Sequence, residues 1–259
     1  MPVNRKIWGD AFSPDHAPSG WSCPTCSGGY LILAKDSLRF EEGTLSRGAH
    51  HEDWFDPEHA DLRFIALLQC NNDKCKEFLA VSGKGSYTQS MHDDGNDWKW
   101  VEYFEPLSVV PPVHFITLPS NMPGRVSDQL VLSFSTLWSS PAASATHIRI
   151  GIENLLDALR IPRARRIKSV RMQRLSLHER IKQLEPRRRD LAEALFAIKW
   201  VGNAASHLGD LTRTDLFDAY DILEHVLEEL YVRNREATRK LIREINSKRG
   251  PRTKRVKMI

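Results

Sequence analysis

The chain has 259 residues, 41% of them hydrophobic and 27% charged, an ordinary balance for a globular protein of one large domain or two modest ones. No apolar run approaches the roughly 18 residues of a membrane-spanning helix, and the first twenty residues, polar with three prolines, hold no signal-peptide core, so a cytoplasmic protein without membrane contact is expected. The net charge of +4 hides a division: through Ser120 ten Lys+Arg stand against 17 Asp+Glu, and from Asn121 the counts are 27 and 16. Two domains with different partners are expected, the basic one facing a polyanion.

Trp21–Ala34 joins a cysteine pair, the Gly28-Gly29 turn and the apolar run Tyr30-Leu31-Ile32-Leu33. Residues 35–60 are polar, rich in His, Asp and Glu, and read as an inserted loop. Arg63–Gln69 is strand-like and leads into a second cysteine pair, after which Phe78–Val81 is again apolar. A polar turn is expected over Gly83–Asp97. Trp98–Phe104 then alternates with period two, as a half-buried strand does. Pro111-Pro112 and Pro119 punctuate a linker.

From Val126 the spacing becomes helical, with Val126, Leu130, Phe134 and Leu137 on one face. Pro141 opens a second helix, which runs to about Leu159 and is followed by the breaker Pro162. After a basic connector, Ser176-Leu177-His178-Glu179 has capping-box form and announces a short helix that Pro186 stops. Asp190–His207 is the next long helix, with Gly209 just beyond it. A last helix of about 30 residues, 214–246, carries Leu216, Tyr220, Leu223, Val226/Leu227, Leu230, Leu241 and Ile245 on one stripe and precedes Gly250-Pro251. Its length suggests a homodimer.

The four cysteines point first to a metal. Cys23-Pro24-Thr25-Cys26 places two thiolates in a tight turn, and Cys70-Asn71-Asn72-Asp73-Lys74-Cys75 supplies a second pair between two strand-like segments. Zn2+ takes four tetrahedral ligands, and a site of Cys23, Cys26, Cys70 and Cys75 leaves no open position for substrate. Its role would be structural, replacing a core that so small a β unit lacks. Redox activity, disulfides, or substitution of a cysteine by His50, His51 or His59 are the alternatives; the first lacks a βαβ context and the second a secretory signal.

Between Arg160 and Asp190 twelve Lys+Arg accompany three Asp+Glu, including Arg163, Arg165, Arg166, Lys168, Arg171, Arg174, Arg187, Arg188 and Arg189. Arginine suits bidentate phosphate contacts, so this stretch is the candidate nucleic-acid surface, RNA or DNA, by backbone attraction rather than base reading. Lys248, Arg249, Arg252, Lys254, Arg255 and Lys257 make a second cluster in a tail, 247–259, expected to be disordered when free. A solvated basic face, or docking to an acidic protein partner, are the competing readings.

Lys199, Asn203 and His207 recur every four residues along one helix face. Gly202 among them costs about 1 kcal/mol against alanine, which close packing of another helix would explain. These residues carry a resemblance. Gly202-Asn203-x-Ala205-x-His207, together with Arg149-x-x-x-Glu153-x-Leu155-Leu156 and Leu177-x-x-Arg180-Ile181-x-x-Leu184, resembles a group of uncharacterised bacterial helical domains. These occur behind a zinc ribbon or appended to restriction-endonuclease subunits, and they are grouped with the HEPN (higher eukaryotes and prokaryotes nucleotide-binding) domains. The paired cysteines and the strand running into prolines are similar to that family as well.

The resemblance implies an α+β chain: a small N-terminal β zinc ribbon over 1–118, then an all-α HEPN-like bundle of four to five helices over 119–246. Active HEPN ribonucleases carry R-x4-6-H on a helix. His207 matches the histidine, whereas Gly202, Val201 and Trp200 stand where the arginine belongs. Lys199 lies eight residues back, about 80° round the helix. Arg149 and Glu153 would complete a polar cluster around Asn203 and His207. Three readings stay open: a non-catalytic nucleic-acid module of a defence or restriction system, a metal-independent ribonuclease using His207 and Asn203 with Lys199 or an arginine from a dimer mate, and a dimeric adaptor for a partner subunit.

Overall fold

The computed structural model describes residues 3–9, 13, 20–26, 28–91, 97–167, 171–207, 211–232, 243 and 246–247, with the backbone alone for 167, 171 and 204–207. The fold is mixed α+β: an antiparallel sheet of five strands precedes the main set of helices. Its strands are β1 (Leu31–Leu33), β2 (Arg39–Glu42), β3 (Leu62–Cys70), β4 (Phe78–Met91) and β5 (Trp98–Val110). β3 alternates strictly, sending Leu62, Phe64, Ala66, Leu68 and Cys70 inward and Arg63, Ile65 and Leu67 outward. It pairs with both β1 and β2 along one side and with β4 along the other, and β4 pairs with β5.

Two sequence expectations are corrected here. The inserted loop 35–60 contains β2, the short helix α2 (Thr44–Gly48) and a 3-10 turn at Pro57–His59 capped by Asp56. The polar turn expected from Gly83 is strand as far as Met91. Beyond Gly85, β4 has lost β3 and pairs with β5 alone; Ser86 is still buried, donating to the Glu58 carbonyl at 2.8 Å, and the exposed Thr88 and Gln89 further out on this two-stranded arm need no core. Gly83 is required where β4 and β5 slip register: a Cβ there would stand 2.1 Å from the carbonyl oxygen of Glu105.

The helices are the five-residue α1 (Arg5–Gly9) ahead of the sheet, then α3 (Gly124–Leu137), α4 (Pro141–Ala158), α5 (Leu177–Leu184), α6 (Arg189–His207) and α7 (Arg213–Leu227). Their starts follow local chemistry. The Ser140 hydroxyl accepts from the Ala143 N–H at 3.2 Å with Pro141 in the first turn, and Ser176 and Glu179 form the expected reciprocal box at α5. The basic connector is a hairpin, β6 (Ala164–Ile167) with β7 (Arg171–Arg174), whose short arginine-rich strands show no apolar alternation in sequence. The last helix does not run on regularly: at Glu228 it passes into a π-helical turn ending at Val232, and 233–242 lie outside the described residues. Among the described residues no helix is long and apolar enough to cross a membrane.

Sheet and helices meet through aromatic rings. Trp21 packs on Trp8 (5.2 Å between centroids) and on Trp138 (5.0 Å). Phe115, in the linker after β5, touches Trp8, Phe134, Trp138, Phe217 and Tyr220 at 4.9 to 5.7 Å. Nothing in the polar N-terminal sequence announced α1, yet Val3 and Trp8 are buried, the Val3 N–H donates to Asp221, and Arg5 pairs with Asp218. Arg213, at the start of α7, donates to the carbonyls of Pro106 (3.2 Å) in β5 and Trp138 (3.0 Å) after α3. The buried residues form one continuous core from Val3 to Leu227. Inside the bundle, the hydroxyls of Ser133, Ser144 and Tyr220 close a fully buried triangle with sides of 2.6, 2.8 and 2.9 Å, satisfying one another where α3, α4 and α7 cross.

Phe115→Ala removes the ring common to both halves. It should destabilise the chain by about 3–5 kcal/mol, read as a lowered urea midpoint at unchanged slope.

Candidate metal centre and basic face

The four cysteines come from two turns that the sheet brings together. Trp21–Cys26 precedes β1, and Cys70–Cys75 spans the β3–β4 connection. The Cys23 N–H donates to the Gly29 carbonyl and the Leu31 N–H to that of Trp21, closing a small hairpin round the first pair. β1 lies on β3 with Leu31 opposite Cys70, which fixes the first turn over the second. The Sγ atoms of Cys23 and Cys75 are 3.8 Å apart and those of Cys26 and Cys70 3.7 Å, with all four sulfurs within 4.8 Å of one another. Disulfides, with bonds of about 2.05 Å, are therefore not formed, and all four cysteines are free. The set could hold a metal ion.

Backbone amides surround the sulfurs. The N–H groups of Gly28, Asn72 and Glu77 donate to Cys26, Cys70 and Cys75, in each case from the residue two positions on. The Gly28 amide lowers the Cys26 thiol to about 6, while burial pushes that of Cys70 up to about 12. Without a cation the cluster thus favours a thiolate at Cys26 and a thiol at Cys70, because clustered thiolates repel one another and burial disfavours their charge. Gly29 is sterically required: a Cβ there would stand 2.4 Å from the Cys70 sulfur.

The asparagines between the second pair were not singled out by the sequence reading. The Asn72 side chain accepts from the Lys74 N–H at 3.1 Å and its amide reaches Cys26 at 3.6 Å, whereas Asn71 Oδ1 accepts from the Tyr30 N–H at 2.8 Å. Two adjacent asparagines in a C-x4-C turn were the available signal, since such side chains build turns of this kind. The longer spacing makes room for that turn.

The basic residues divide into tied and free. Asp157 receives a two-pronged hydrogen bond from Arg163, and Arg180 donates to it at 2.6 Å; the Arg163 bond comes first in holding its carboxyl below the usual range. Arg180 is buried and also donates to the carbonyls of Glu153 (3.2 Å) and Ile161 (3.0 Å), clamping α5 to the end of α4. Arg165 reaches Gln173 at 3.3 Å and Glu179 at 3.6 Å, and Arg189 pairs with Glu193 at 2.9 Å. Among the described residues Arg166, Arg174, Arg187 and Arg188 form no ion pair, and all but the half-buried Arg188 are exposed. Arg149, Arg163, Arg174 and Arg180 together line a groove of about 350 Å³ that also exposes Glu153 and Glu179. Lys168 lies outside the described residues, as does the side chain of Arg171.

On α6, the Lys199 ammonium sits 3.6 Å above the Trp200 ring and Asn203 is half-buried; His207 ends the helix with its side chain outside the described residues. Arg149 and Glu153 face each other along α4 at 3.9 Å. The close helix packing expected at Gly202 is not found among the described residues, for a Cβ there would meet none of them within 4 Å.

Residues 10–109 match the family model of a domain of unknown function (DUF8608), and residues 133–248 that of another domain of unknown function (DUF4145). The chain is similar to these two domains over those spans. No curated protein and no solved structure matches it. The first span ends within β5 and the second begins inside α3, on either side of the linker that carries Phe115.

Gly29→Ala should displace the Cys70 sulfur and weaken metal retention at least tenfold. Competition with a chromophoric chelator reads this directly, and equal retention by variant and parent would refute the steric account.

Proposed function

We propose that the chain is a zinc-stabilised, non-catalytic module that associates with nucleic acid, its β unit a zinc ribbon and its helical part a HEPN-like domain. The zinc assignment rests on the sulfurs. A tetrahedral ion with bonds of about 2.3 Å to sulfur has S···S edges of about 3.8 Å; two of the six separations, at 3.8 and 3.7 Å, match this, and all six are within 4.8 Å. Four thiolates complete that coordination, so Cys23, Cys26, Cys70 and Cys75 would hold the ion as part of the fold. When bound, the ion supplies the positive charge that lets the sulfurs lie together ionised.

The nucleic-acid reading rests on one observation above the rest: the β6–β7 hairpin exposes Arg166 and Arg174 on one face, neither in an ion pair among the described residues, and Arg165, which reaches Gln173 and Glu179, on the other. Arg187 at the α5–α6 turn adds a further exposed guanidinium. Exposed guanidinium groups of this kind serve contact with the phosphate backbone. A setting in bacterial defence or restriction is what the family resemblance adds. A homodimer or a partner subunit is compatible with the same surface.

Salt dependence tests the proposal. If three phosphates are engaged, log K against log salt for a duplex or single strand should steepen with them, and neutralising Arg165, Arg166 and Arg174 to Gln should flatten that slope by about 2–3. Retention independent of salt, or a slope unchanged by the triple variant, would overturn it.

A further inference from the structure

We propose that the helical half binds a small apolar acid in a groove between α4, α6 and α7, next to Gly202. Glycine is a poor residue for a helix interior, and among the described residues Gly202 is neither a cap nor a close-packing site. The space beyond its Cα belongs to a groove of about 230 Å³ whose floor is apolar: Ala145, Ile148, Ile152, Ile198 and Leu216. Glycine keeps this groove open where any larger residue on α6 would project into it.

The volume and the lining select the ligand. A cavity of about 150 Å³ holds benzene, and sites for drug-sized molecules begin near 300 Å³, so the groove suits a body of about ten non-hydrogen atoms. Apart from the two cations, the lining offers one side-chain hydrogen-bonding group, the Thr146 hydroxyl, which already donates to the Ala142 carbonyl at 3.0 Å, so the edge of a nucleobase is left largely unmatched. Two cations stand at the rim. Lys199 is held over the Trp200 ring at 3.6 Å and, among the described residues, pairs with no carboxylate. Arg149 has only the long 3.9 Å contact to Glu153 and is half exposed. An apolar tail on the floor with a carboxylate between Lys199 and Arg149 satisfies both parts.

Octanoate is the probe and octanol its uncharged counterpart, each titrated into the full-length protein with methyl resonances of Ile148, Ile152 and Ile198 as the readout. Octanoate should shift these methyls and bind about tenfold more tightly than octanol, a factor that two partly exposed ion pairs supply. Gly202→Leu fills the groove while improving helix propensity, so it should raise the melting temperature and weaken octanoate at least tenfold. Lys199→Ala with Arg149→Ala should remove the preference for octanoate and leave octanol binding as it was. If Gly202→Leu lowers the melting temperature, this double variant carries the test alone. The proposal fails if the methyls stay unmoved at about 10 mM octanoate, if a stably folded Gly202→Leu protein binds like the parent, or if the double variant keeps the preference.

Discussion

Four sulfur atoms within 4.8 Å of one another set the main constraint on this molecule. Thiolates at that spacing repel, and burial of Cys23 and Cys70 worsens the cost. The chain meets it in part by backbone donors, each placed two residues after the cysteine it serves. These can stabilise one thiolate, at Cys26, but not four together. A bound cation would resolve the conflict, and the turns around the cysteines leave room for the sulfurs to hold one. Gly29 leaves room for the Cys70 sulfur, and Asn72 both turns the chain and donates to a sulfur.

The consequences reach beyond the sheet. Trp21, two residues before Cys23, accepts the Leu31 N–H through its carbonyl and donates from its indole to the carbonyl of Ile7 at 2.8 Å. Its ring packs on both Trp8 and Trp138, which also meet each other at 6.4 Å. The cysteine hairpin therefore delivers one of the rings on which α1 and the end of α3 close, and Phe115 carries the contact on to α7. The strand half and the helical half share this aromatic junction, which is why the core does not divide where the charge asymmetry of the sequence does.

Local chemistry was legible and long-range chemistry was not. The cysteine spacing, Pro141 behind Ser140, and the Ser176–Glu179 box each state a local geometry that few residues satisfy, and each element lies where those residues place it. α1 escaped notice because five residues carry too little pattern; Trp8 is buried only through partners 13 to 130 positions away in the chain. The distal part of β4 was hidden by its polarity, which a two-stranded arm permits. The sequence does not separate the arginines of this stretch, but Arg180 is buried and Arg163 is spent on Asp157, distinctions made by an acid and a carbonyl of α4. Gly202 was visible, yet its open surroundings could be seen only with α4 and α7 in place.

The central claim is that a metal held by the four cysteines orders the Trp21 hairpin and, through it, the junction. Hydrogen exchange of the full chain, with metal and after chelation, tests this most directly. The account predicts that chelation strips protection from the amides of Cys23, Leu31 and Cys70, by at least tenfold, while amides in the middle of α3 and α4 keep theirs. Unchanged protection at Cys23, Leu31 and Cys70 after complete metal removal would contradict it.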